Sequence, residues 1–105
     1  MNIEQIRALC GTDHVVWSAH CLKRLQQRSI RIADVEYAMA NGEIIEDYPT
    51  DFPFPSCLVF GITRAGQTLH VVCAVGEGSL FVITAYRPDL DHWEADLKTR
   101  KENPS

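Results

Sequence analysis

No stretch of this 105-residue chain stays apolar for the roughly 20 residues that a bilayer crossing needs, so no membrane partner is expected. Its first residues, MNIEQIRALC, lack the basic start and apolar core of a secretory signal, so a cytoplasmic location is expected. The four cysteines, Cys10, Cys21, Cys57 and Cys73, form no CxxC pair, and no HxxxH accompanies them. His20 and Cys21 are adjacent, and on a helix they would point about 100° apart, so no metal site is expected. Three of the cysteines sit in apolar surroundings, and their expected state is that of reduced, buried thiols acting as small hydrophobes. There is no glycine-rich phosphate loop, no GxSxG elbow and no carboxylate dyad, and no cofactor is expected. Acids outnumber bases by 14 to 10, for a formal charge of −4. That balance argues against broad non-specific binding to nucleic acid, and no DNA partner is expected. It leaves room for a small basic site.

What is present is an ordinary globular composition, 46% apolar and 23% charged, which fits one domain over residues 1–105. The core is expected over about 15–97, with a frayed tail at 101–105. Ile3, Ile6 and Leu9 recur at helical spacing, and GTDHVVW follows as a turn and a short extended link. Ser18 is placed to cap a second helix that ends near Arg28 or Ser29. RIADVEYAMANG reads as a third helix, with Val35, Ala38 and Met39 inward and Gly42 as its stop. The period then falls toward two. EIIEDY, CLVFGIT, LHVVCAV and LFVITAY read as strands, separated by the proline-rich PTDFPFPS and the short turns RAGQ and GEGS. DLDHWEADLKTRK reads as a closing helix with Trp93 and Leu97 on one face. The expected fold class is therefore α+β: N-terminal helices, a four-stranded antiparallel meander and a C-terminal helix.

Two places carry candidate chemistry. In the second helix, His20, Arg24 and Arg28 recur every four residues and so share one stripe, with Leu22 and Leu25 expected on the opposite, core-facing side. A polar helix face is also the ordinary way to stay soluble. Yet residues 18–30 contain no Asp or Glu, so the paired guanidiniums have no acid on their own helix. A phosphate would resolve that repulsion, and so would a partner's carboxylate. The second place is His70. Two-residue hairpins at RAGQ and GEGS would set it opposite Gly61 and Ala85, with Thr84 and Tyr86 on the other face, unless a bulge near Gly76 or Gly78 reverses them. His70 is otherwise read as a satisfied structural histidine. Tyr48, Phe52 and Phe54 either stack on bases or plug the end of the core. His14 and His92 have no cluster around them.

The order of His20-x3-Arg24-x3-Arg28, DVEYAMANGEIIEDYP, PSCLVFG, LHVV and TAYRPDLDHW resembles a family of small bacterial proteins. That family is the domain of unknown function DUF4258, which is similar to BrnT and, more remotely, to RelE-type toxins. The resemblance spans roughly residues 15–97. It implies the RelE/BrnT-like α+β fold of metal-independent ribonuclease toxins, with His20, Arg24, Arg28, His70, Thr84 and Tyr86 as the matching polar residues. It also implies an antitoxin partner, in some cases of zinc-finger type. The acidity of this chain departs from RelE-like toxins, which tend to be basic.

Two functions follow as expectations. The first is a metal-independent endoribonuclease of toxin–antitoxin type. His20 and His70 would exchange protons with a ribose 2′-hydroxyl and the leaving 5′-oxygen. Arg24 and Arg28 would hold the phosphate, Tyr86 would donate or stack, and Arg31, Arg64, Thr84 and Arg87 would bind substrate RNA. The second is a non-catalytic interaction module with a degenerate toxin-like fold, binding an acidic partner or a second copy as a homodimer.

Overall fold

Three helices lie against one face of a five-stranded sheet in the computed structural model, which describes residues 1–102. Helix α1 (Ile3–Leu9) opens with a capping box, in which Asn2 and Gln5 each bond the other's backbone amide. Helix α2 (Ala19–Gln27) starts where Ser18 Oγ accepts from the Cys21 amide at 3.0 Å, as expected. Its end is a Schellman motif: Ser29 adopts φ +55°, its amide bonds Gln26, and the Ile30 amide bonds Leu25 at 2.9 Å. Ile30 and Leu25 are both buried, which supplies the apolar contact that goes with this turn. Helix α3 (Ile32–Ala40) buries Val35, Ala38 and Met39, the three residues that the pattern assigns to the core.

The strands are β1 (Val15–Trp17), β2 (Glu43–Tyr48), β3 (Ser56–Ile62), β4 (Thr68–Gly76) and β5 (Ser79–Tyr86), in spatial order β1-β5-β4-β3-β2. The four expected strands form an antiparallel meander, but the sheet is larger. The extended link at Val15–Trp17 joins as a fifth strand, parallel to β5, and pairs Val15 with Leu80. A three-residue segment gives too short a pattern to reveal its partner. Helix α3 sits so close to β3 that a Cβ on Gly61 would run into the Ala38 backbone. Gly42 meets the Ala38 and Phe60 carbonyls in the same way.

The expected register is off by one residue at both hairpins. The β3–β4 connection is a three-residue loop closed by a Thr63 amide to Gln67 carbonyl bond of 2.8 Å, with Gly66 at φ +81°. The β4–β5 turn has two residues, as expected, but β5 carries a bulge: Val72 faces Thr84 while Cys73 faces Val82. Ile83 is the extra residue. His70 therefore pairs with Phe60 and Tyr86, not with Gly61 and Ala85. A one-residue shift exchanges faces, so Thr84 and Tyr86 lie on the same face as His70, contrary to expectation.

The expected C-terminal helix over 89–101 does not form. Asp89 accepts the amides of Asp91 and His92, and Asp96 those of Lys98 and Thr99. Such local side-chain bonds compete with helix formation. Leu97 adopts φ +57°, and Trp93 bridges to Arg100 in an antiparallel contact. The segment lies as a strap across the second face of the sheet and buries Trp93 to 3% exposure. At the other end of that face Phe54 stacks on Phe81, with ring centroids 5.4 Å apart, and seals the core edge, while Phe52 is 94% exposed. Among the described residues no helix is long and apolar enough to cross a membrane. Residues 103–105 of the expected tail lie outside the described residues.

Candidate functional site

Helix α2 packs on β5, burying Cys21 and Leu25. At about 100° per residue, Arg28 lies only about 20° from Cys21, Arg24 about 60° and His20 about 100°. The stripe therefore winds toward the edge of β5, where Arg28 is still exposed, and the expectation that it opposes the core holds only for its start. Leu22, expected inside, is 38% exposed. Arg28 Nη1 donates to Thr84 Oγ1 at 3.1 Å and to the Ala85 carbonyl at 2.9 Å. Arg87 returns the contact, its guanidinium donating to the Arg28 and Ser29 carbonyls at the C-terminus of α2. His20 and Arg24 are exposed, and Arg24 reaches Gln27 Oε1 at 3.3 Å. Among the described residues the hydrogen-bond partners of Arg24 and Arg28 are thus neutral oxygens, and no carboxylate pairs with either.

His70 is fully buried. Its Nε2 lies 2.6 Å from the Leu97 carbonyl, and since a carbonyl only accepts, Nε2 carries the proton. Nδ1 then accepts from the Tyr86 hydroxyl at 3.3 Å. Trp93 stands edge-on to the imidazole, with centroids 4.5 Å apart. Both ring nitrogens are occupied and the strap closes the approach, so His70 is not placed to exchange protons with a substrate. The histidine that touches solvent in the stripe is His20.

The structure thus gathers Arg28, His70, Thr84, Tyr86 and Arg87 at one end of β5, with Arg24 and His20 continuing along α2. Two expected residues stand apart. Arg31 pairs with Asp34 at 3.2 Å, and Arg64 lies over the Tyr37 ring on the helix side of the sheet. A groove of about 520 Å3 is lined by Arg7 and Tyr37 from the helices and by Glu43, Phe60 and Lys98, and none of the expected catalytic residues reaches it. Cys57 and Cys73 face one another across β3 and β4 as free buried thiols, 4.0 Å apart. No three His, Cys, Asp or Glu side chains gather as a metal-holding group among the described residues.

A second polar cluster escaped the sequence reading. Glu46 accepts from the Tyr48 hydroxyl at 2.6 Å and from Arg100 Nε at 2.8 Å. Burial would raise the Glu46 carboxyl, but the Arg100 and Tyr48 bonds outweigh it and hold the group below its ordinary value. Burial and the bond to Glu46 push Tyr48 up to about 12. The available signal was the i, i+2 spacing of Glu46 and Tyr48 on one strand.

Burial also holds the His70 pKa below its ordinary value, against the pull of the Leu97 carbonyl and Glu46. The folded chain therefore binds that proton less readily than the unfolded chain. Stability is expected to be retained above about pH 6.5 and to fall as the pH drops below it. Urea midpoints measured from pH 7.5 to 5 check this, and His70→Gln should flatten the decline.

The model of the family described as a domain of unknown function, DUF4258, matches residues 17–87. The chain belongs to the DUF4258 family. The DUF4258 segment runs from Trp17 to Arg87 and so contains the basic stripe, His70 and Tyr86. It stops short of the strap. No curated protein and no solved structure matches the chain.

Proposed function

We propose that this DUF4258 domain is a metal-independent endoribonuclease of toxin type that works at the face shared by α2 and the end of β5. The observation that carries the reading is the Arg28 contact with Thr84 and Ala85. It anchors a helix free of acids so that one imidazole and two guanidiniums run toward Tyr86. Helices against one face of a largely antiparallel sheet also agree with the BrnT- and RelE-like arrangement that the sequence resembles.

In this reading Arg24 and Arg28 bind the scissile phosphate, where a guanidinium fork matches two oxygens. The His20 imidazole takes the proton of the ribose 2′-hydroxyl. The 2′-oxygen attacks phosphorus, the bond to the 5′-oxygen breaks, and that oxygen takes its proton from water. The products are a 2′,3′-cyclic phosphate and a 5′-hydroxyl. Charge building on the phosphate is met by guanidiniums already in place. Burial raises the Tyr86 pKa and keeps the phenol protonated; its one O–H goes to His70 Nδ1, which leaves the ring to stack on a base. His70 takes a positioning role, holding that hydroxyl through Nδ1. The partners of this reading are single-stranded RNA and an antitoxin protein.

Incubating purified protein with mixed RNA in EDTA tests the proposal. Cleavage to cyclic-phosphate ends is expected, reduced by at least about 100-fold in His20→Ala and in Arg24→Ala. Intact RNA at high protein excess sinks it. The sealed, doubly bonded His70 favours a second reading, a non-catalytic interaction module. That reading prevails if no RNA is cut and a stable protein complex survives both substitutions.

A further inference from the structure

The strap offers an inference that does not depend on RNA cleavage. Its contacts fall into three kinds. Trp93 packs on His70, Leu97 supplies the carbonyl for His70 Nε2, and two cations reach the sheet edge. Lys98 Nζ pairs with Glu43 at 2.6 Å and lies over the Phe60 ring, while Arg100 pairs with Glu46 at 2.8 Å and lies over Trp93 itself. Beneath the strap is thus a groove with an aromatic floor, Phe60, His70 and Tyr86, and an acidic edge, Glu43 and Glu46. Such a surface selects its occupant by charge and shape: one bulky aromatic side chain followed by basic residues.

The strap has the marks of a separable occupant. The family match covers residues 17–87, so the floor and acidic edge of the groove lie within it and the strap follows it in sequence. Both ion pairs are partly exposed and therefore weakened by salt. Leu97, whose carbonyl satisfies His70, stands in the left-handed region that non-glycine residues rarely adopt. No helix or strand pairing ties the segment to the sheet; Trp93, Lys98, Arg100 and the Leu97 carbonyl do.

We propose that this groove is a docking site for an aromatic–basic segment of a partner protein, and that the chain's own residues 88–101 fill it until such a segment displaces them. The partner segment would reproduce the spacing of Trp93, Lys98 and Arg100. A purely aliphatic segment, or one with acids at the positions of Lys98 and Arg100, would not fit.

The probe is a synthetic peptide with the sequence of residues 88–101, PDLDHWEADLKTRK, titrated into the isotope-labelled 105-residue chain. Saturable shifts of the His70, Tyr86 and Glu46 amides are expected. A peptide with Trp93→Ala, or with Lys98→Gln and Arg100→Gln, should bind at least about tenfold more weakly. Placing Lys98→Gln and Arg100→Gln in the chain instead should tighten the unaltered peptide by about tenfold, because the competitor in cis is loosened. These two substitutions lie on exposed side chains and leave Trp93 in place, so the fold is retained. The proposal is overturned if the unaltered peptide causes no shift at millimolar concentration in either chain. It is also overturned if the altered peptides bind equally well. Shifts that follow the chain's own concentration, with or without peptide, would make a second copy the occupant and overturn the partner assignment. Arg24→Ala should leave peptide binding unchanged whether or not RNA is cut, which separates this groove from the α2 face.

Discussion

Gly61→Ala is expected to cost about 3 kcal/mol or more, a large fraction of the stability of a small domain. Gly61 is buried in β3 directly under α3, and the first atoms its new methyl group would meet are the Ala38 carbonyl oxygen and carbon. Main chain on both sides cannot rotate away as a flexible side chain would. The helix must lift, and lifting it opens the layer that holds Val35, Met39, Val59 and Val71. A lowered urea midpoint with an unchanged denaturant slope is the expected reading. Adding Ala38→Gly should restore little, since the clash is with backbone that glycine keeps. Substantial rescue by that second change would show that the Ala38 methyl sets the spacing instead.

Trp93→Ala is expected to be of similar size, about 3–5 kcal/mol, through a different cause. The indole is nearly fully buried although it sits in a segment without helix or strand. Its removal leaves a hollow over His70, deprives Arg100 of the ring it lies on, and opens the Leu97 carbonyl bond to water. Trp93→Phe keeps the edge-on contact and should recover more than half of the loss. Thermal melts of the two variants check this. Near-equal melting of wild type and Trp93→Ala would mean that the strap contributes nothing to the folded state.

The helices were readable because their signals are local. Ser18 announces α2 through one hydroxyl, and the spacing of Val35, Ala38 and Met39 identifies the buried face of α3 without knowledge of its partner. The four longer strands showed for the same reason. What escaped depends on single residues that act at a distance. The Thr63–Gln67 bond lengthens one hairpin by a residue, and the bulge at Ile83 shifts β5 by another. Together they turn Tyr86 toward His70. Both histidines of the expected pair looked alike as letters. Only the fold decides that one is capped by a carbonyl and an indole while the other meets solvent. The C-terminal error has a similar origin. Trp93 and Leu97 recur at helical spacing, but the aspartates at 89 and 96 bond nearby amides, and the sheet face gives the indole a better burial than a helix would.

The parallel contact between β1 and β5 has a consequence for biogenesis. Val15 leaves the ribosome early, yet its pairing partner Leu80 comes late, after β2, β3 and β4. The amino-terminal stretch must stay unpaired through most of synthesis, and closing so wide a loop is entropically costly and slow. Docking of that short strand should be the final folding event, and its amides the first to exchange with deuterated water when the native chain breathes.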